Sequence, residues 1–174
     1  MTARDAIVAA AVLMLCVDGW GCAAWPHDPP NYFVIDSEFP VEQHPVIRAA
    51  FDAWCEAEGY CPKEALWADR GRVMLIDDLP EGKHARVACP AGRTCMVDGH
   101  NTGGDNVIIA RDRVAPDDMA HLWVVVAHEI GHYCTDHLAT GLMSAALGLD
   151  APLLIDDEAI RAWERGCNQK PRNH

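Results

Sequence analysis

The 174-residue sequence has no apolar run long enough to cross a bilayer. Its longest, Ala6–Val17, holds 12 residues, against the roughly 20 that a spanning helix needs. It is also short of positive charge. Lys and Arg number 14 against 26 Asp and Glu, a formal charge of −12 with no basic run, which argues against nucleic acid as a partner. No Cys-x-x-Cys pair occurs, so a zinc-thiolate finger is a poor reading of the cysteines. No repeat period is visible, which argues against a solenoid. Hydrophobic residues make up 50% of the chain, which excludes wholesale disorder and leaves one domain of ordinary size.

What is present begins with an export signal. Ala6–Val17 has the length of a signal-peptide apolar core, Arg4 supplies a thin positive region before it, and Cys22 and Ala24 suit cleavage after Ala24. Residues 1–24 are therefore expected to be a leader and residues 25–174 the mature domain. The alternative is a buried N-terminal helix. Gly21-Cys22 offers a second fate, lipidation of Cys22, which would tie the protein to a membrane surface without a transmembrane span. Beyond the leader and Cys22 six cysteines remain: Cys55, Cys61, Cys89, Cys95, Cys134 and Cys167. An even set behind an export signal reads as three disulfides of a secreted or extracytoplasmic protein. Spacing suggests Cys55–Cys61 and Cys89–Cys95, leaving Cys134–Cys167.

The rest reads as an α+β fold, a small twisted mixed sheet around a buried helix. Tyr32–Asp36, Val73–Asp77 and Val107–Arg111 are strand-like, being rich in β-branched and apolar residues. Gln43–Glu58 repeats Val46, Ile47, Ala50, Phe51, Trp54 and Cys55 near the helical period, with Pro45 in its first turn and Gly59 as its stop. The stretch from His84 to Val97 reads as a hairpin, and Asp98–Asn106, with its three glycines, as a loop. A helix opens at Pro116-Asp117-Asp118 and runs through Val124-Val125-Val126 to about Cys134, apolar on nearly every side. A last helix starts at Asp156-Asp157-Glu158 and ends near Gly166.

The chemistry lies at the end of the apolar helix, in His128-Glu129-Ile130-Gly131-His132. Residues four apart share a helix face, so the two imidazoles can bind one Zn²⁺. Glu129 is turned about 100° from His128 and stands beside such an ion. Zinc lowers the pKa of water to about 7, and a neighbouring carboxylate can take its proton. This is the signature of a zinc peptidase. On an exposed helix the same residues would be ordinary polar ones. Here Leu122–Ala127 draws the helix inward, where His and Glu need partners. A third protein ligand is usual at catalytic zinc, and His137, Asp136 and Glu158 are the options. His121, two turns before His128, is about 10 Å away along the axis and too far. Asp98, His100, Asn101 and Asp105 form a weaker candidate for a second cation site.

The run His128–His137, followed by Gly141-Leu142-Met143-Ser144, resembles the metzincin metallopeptidases, in particular the matrixin-like group, whose pattern is H-E-x-x-H-x-x-G-x-x-H with a Met-containing turn beyond. The resemblance covers about 17 residues. It implies a metzincin-like catalytic domain in which His128, His132 and His137 hold zinc, Glu129 is the general base and Met143 lies under the metal. It also places Ser144-Ala145-Ala146-Leu147 by the pocket for an apolar substrate side chain. The family has five residues, one a Gly, between its second and third His; this chain has four, Tyr133–Asp136, and no Gly. The expectation is an exported zinc endopeptidase acting on a peptide or protein substrate. The alternative is a zinc-binding module of the same fold without catalysis, against which the presence of Glu129 speaks.

Overall fold

A computed structural model describes residues 28–77, 87–88, 94–95, 99–102, 105–111, 114–144 and 153–168. The expected leader with Arg4 and Cys22, the Cys89–Cys95 bridge, Asp98 and Ala145–Leu147 lie outside the described residues. The strands are β1 (Tyr32–Ile35), β2 (Lys63–Glu64), β3 (Arg72–Ile76), β4 (Val87–Ala88), β5 (Thr94–Cys95), β6 (Gly99–Asn101) and β7 (Val107–Ala110). The helices are α1 (His44–Glu58), α2 (Met119–Gly131) and α3 (Asp157–Asn168), with a 3-10 turn at Val41–Gln43 before α1. Five strands form one sheet in the order β2-β1-β3-β7-β6. The first four are parallel, and β6 runs antiparallel to β7. β4 and β5 make a separate antiparallel pair, as the hairpin expectation requires.

The pattern of β3 and β7 explains their burial. Strand neighbours point to opposite faces. Val73, Leu75, Val107 and Ile109 therefore belong to the main core, while Met74, Ile76, Ile108 and Ala110 form a second, smaller cluster. A strand covered on both faces reads as an unbroken apolar run, which is what Val-Ile-Ile-Ala shows. α1 sends Ile47, Ala50, Phe51 and Trp54 into the main core, and Phe33 of β1 stacks on Phe51 with ring centroids 4.1 Å apart. Gly59 ends α1 with a left-handed φ of 68°, its N–H donating to Cys55 O at 2.9 Å. Few other residues adopt that conformation without strain. The Arg48 guanidinium makes two hydrogen bonds to Glu64, 2.6 and 2.9 Å, joining α1 to the short edge strand β2.

α2 is the central element. Leu122 and Val124–Gly131 are all buried. Asp118 caps its start, accepting from His121 N at 2.9 Å. Trp54 Nε1 donates to Ala127 O at 2.8 Å, and Trp54 stacks on Trp163 of α3 with centroids 4.5 Å apart. Among the described residues, Cys55–Cys61 and Cys134–Cys167 form disulfides. The second fastens α3 to the chain just after α2. α3 passes so close there that a Cβ on Gly166 would stand 1.5 Å from Cys134 O. Disulfides of this kind belong to an oxidising compartment, so the pairings suggest an extracytoplasmic protein. Among the described residues, no helix is long and apolar enough to cross a membrane.

Three expectations need correction. Asp98–Asn106 is not all loop, because Gly99–Asn101 is the edge strand β6, paired Gly99↔Ile109, His100↔Ile108 and Asn101↔Val107. Its strand character comes from pairing with β7, and its glycine, a poor strand residue, sits where a helix packs closely. α2 stops at Gly131 instead of Cys134, since Tyr133 N and Cys134 N donate three residues back, to Ile130 O (2.9 Å) and Gly131 O (3.1 Å). Asp156 lies just outside α3: its Oδ1 accepts from Glu158 N and Ala159 N, both 3.0 Å, as a helix cap does.

Candidate metal centre

His128 faces out of the last full turn of α2, and His132 is the residue on which the helix closes. Tyr133 N and Cys134 N close the helix in a tight 3-10 manner, which ends α2 and turns the chain from His132 toward His137. His137 then returns, and Leu138 N donates to Met143 O at 2.8 Å. The three imidazoles meet. His132 Nε2 is 3.1 Å from His128 Nε2 and 3.2 Å from His137 Nε2, and the three ligand atoms all lie within 4.8 Å of one another. The rings of His128 and His137 stand near right angles to that of His132, at 89° and 86°.

The proton positions follow from the acceptors. His128 Nδ1 lies 2.7 Å from Leu142 O and His132 Nδ1 2.9 Å from Thr135 O. Carbonyl oxygens only accept, so both Nδ1 atoms carry hydrogen, and in the neutral rings both Nε2 atoms are bare. Burial pushes the His128 pKa down to about 4, and the facing His137 adds to this, while the hydrogen bond to Leu142 O opposes it. His137 is exposed as a residue, but partial desolvation of its ring holds it below the ordinary value, with Asp136 opposing. Two neutral rings with lone pairs facing each other at 3.1 Å repel, and a cation between them removes the conflict. Around a tetrahedral ion with bonds of about 2.0–2.1 Å, donor atoms stand about 3.3–3.4 Å apart. The observed separations are close to that. The donor set therefore fits a metal ion, with the outer nitrogens fixed by backbone carbonyls as metal-bound histidines usually are.

Glu129 is buried, with 6% of its surface exposed. Asn101 Nδ2 donates to its carbonyl at 2.8 Å, and a Cβ on Gly99 would lie 3.0 Å from Glu129 Cγ and 3.2 Å from its Oε1. Met143 is fully buried. A Cβ on Gly131 would fall 2.2 Å from Met143 Sδ, so the sulfur packs directly against the helix backbone between Glu129 and His132. The Met143 turn is held by the residue that caps α3: Asp156 Oδ2 accepts from Leu142 N at 2.7 Å. Gly141, with φ 74°, leaves room for that carboxylate; its Cβ would be 2.4 Å from Asp156 Oδ2.

The other options lie elsewhere. Asp136 is exposed and stands outside the cluster. Glu158 Oε2 accepts from Thr140 Oγ1 at 2.7 Å, also outside it. His121 belongs to the first turn of α2. Of the proposed second cation loop, Asp105 pairs with Arg70 and Asn101 serves Glu129. Among the described residues no other metal-holding group occurs. Asn101 as a partner of Glu129, and Asp156 as a tie to Leu142, escaped the sequence reading. Asp156 advertised only a helix start, and nothing near Asn101 in sequence points to a residue 28 positions away. The sequence matches no family model and no curated protein.

Proposed function

We propose that this chain is an exported zinc-dependent metalloendopeptidase of metzincin-like type. One observation carries the reading: three imidazole Nε2 atoms converge within 4.8 Å of one another, and the residue that follows the first of them in the chain is the buried carboxylate Glu129. Neutral nitrogen donors, three in number, are the set that catalytic zinc uses when a position is left open for water or substrate. His128, His132 and His137 would hold the ion. Bound there, zinc supplies a Lewis acid for a peptide carbonyl and acidifies water.

The remaining work belongs to the protein. Leu142 O and Thr135 O fix the rings of His128 and His132, so the site forms without reorganising its ligands. Glu129 takes the proton of the attacking water on its carboxylate and delivers it to the departing amine nitrogen. The apolar packing of α2 keeps competing water from that carboxylate. The Met143 packing, the Gly141–Ser144 turn and the α+β sheet support the metzincin resemblance. The two disulfides support export, and lipidation of Cys22 would then hold the enzyme at a membrane surface.

The decisive experiment is cleavage of a quenched peptide library by the oxidised mature chain, with and without chelator. Wild-type turnover is expected to vanish with chelator and return with zinc. Glu129→Ala should bind zinc and fold but lose at least about 100-fold in kcat. Zinc-loaded, folded wild type without turnover would instead favour a zinc-binding module.

A further inference from the structure

The tight 3-10 closure of α2 has a cost inside the helix. In a continuing α-helix the carbonyl of Glu129 would accept from the N–H four residues on. That N–H, on Tyr133, donates to Ile130 O instead, at 2.9 Å. The edge strand fills the place: Asn101 Nδ2 donates to Glu129 O at 2.8 Å, in a buried contact. Two residues earlier, on the same face of the strand, Gly99 is buried and packs against Glu129 itself. A Cβ there would stand 2.8 Å from Val125 Cγ1 and 3.0 Å from Glu129 Cγ. Strand and carboxylate thus lie in contact only because residue 99 has no side chain.

We infer that Gly99 and Asn101 are positioning residues for Glu129, the backbone of Glu129 being held by Asn101 and its side chain given its resting place by Gly99. The inference rests on the reading of Glu129 as general base. A proton acceptor must stand within hydrogen-bond reach of the water it serves, and misplacement by about 1 Å can cost about 100-fold in rate. β6 touches α2 through these contacts without contributing to the histidine cluster, so it can set the base without setting the metal.

The test uses the zinc-loaded mature chain with Asn101→Leu and Gly99→Ala, each alone and combined with Glu129→Ala. Each single variant is expected to lower kcat by about tenfold or more, leaving KM and zinc affinity, measured by chelator competition, unchanged. Gly99→Ala should also lower Tm, and lower it less when Glu129 is already Ala, because the crowded side chain is gone. Unchanged kcat in both variants overturns the inference. So does a loss of zinc affinity as large as the loss of kcat, which marks a general structural role, or, for Gly99→Ala, a Tm decrease independent of residue 129. If Gly99→Ala does not fold, Asn101→Leu carries the kinetic comparison alone. Wild type without turnover would sink the hydrolase reading only. The Tm comparison for Gly99→Ala then decides whether β6 holds the Glu129 side chain; Asn101→Leu, whose lost hydrogen bond is to the backbone of residue 129, should lower Tm with Glu or Ala there, and an unchanged Tm would overturn its part.

Discussion

Three histidines share the candidate centre, and they differ in how deeply they are set. His128 is buried, His132 partly so and His137 exposed. His137 is nonetheless one of the three whose donor atoms meet. Removing it should therefore reduce zinc affinity by more than the roughly 10–100-fold typical of lost outer-shell partners. Asp136→Ala and Glu158→Ala should leave affinity nearly as it is. Chelator competition on the three variants separates these outcomes, and a large effect from Glu158→Ala alone would reassign the third ligand. The burial of His128 also makes the metal-free protein sensitive to acid. Its pKa is about 4 in the fold and about 6.5 in the unfolded chain. Between those values the unfolded state binds more protons, so stability is full above about pH 6.5 and is lost as pH falls toward 4. The loss is on the order of 3 kcal/mol, from a difference of about 2.5 between the two values. Urea midpoints of chelated protein measured from pH 7 to pH 4.5 check it. A flat profile would mean that His128 is solvated.

At the scale of elements, the contact between α2 and the Met143 turn has a sign that can be read. Gly131 lies within α2, and replacing a helical Gly by Ala ordinarily stabilises by up to about 1 kcal/mol. Here the added Cβ meets Met143 Sδ at 2.2 Å and Trp54 Cζ2 at 3.1 Å. Gly131→Ala should destabilise by about 1–3 kcal/mol, and Met143→Ala in the same chain should recover part of it. Thermal unfolding of the single and double variants is the check. α1 was legible in the sequence because Ile47, Ala50, Phe51 and Trp54 keep one period and Gly59 can take a left-handed turn. His128 and His132 were legible for the same periodic reason. β6 was not, since Gly99–Asn101 becomes a strand only through β7. Nor could spacing choose among His137, Asp136 and Glu158, because the turn after Gly131 depends on which carbonyls Tyr133 N and Cys134 N select. The ties Asn101–Glu129 and Asp156–Leu142 join separate segments and leave no local trace.

At the scale of the molecule, the sheet and the candidate centre depend on each other unequally. All five strands of the main sheet precede α2 in the chain, and β6 and β7 pack against it. The three histidines, by contrast, fall within the ten residues from His128 to His137. An unfolded chain therefore keeps a short segment able to chelate. A metal that binds both states stabilises the fold only by the difference between its two affinities. Chelation of the zinc-loaded protein should lower Tm, but by less than the native affinity alone would require. Comparing the Tm change with the affinities of the native chain and of a peptide spanning residues 128–137 tests this. Equality between the Tm change and the full native affinity would show that the peptide segment does not compete. Such a chain could capture its metal before its sheet is complete, so that loading need not wait for folding and the order of the two events is set by the supply of the ion.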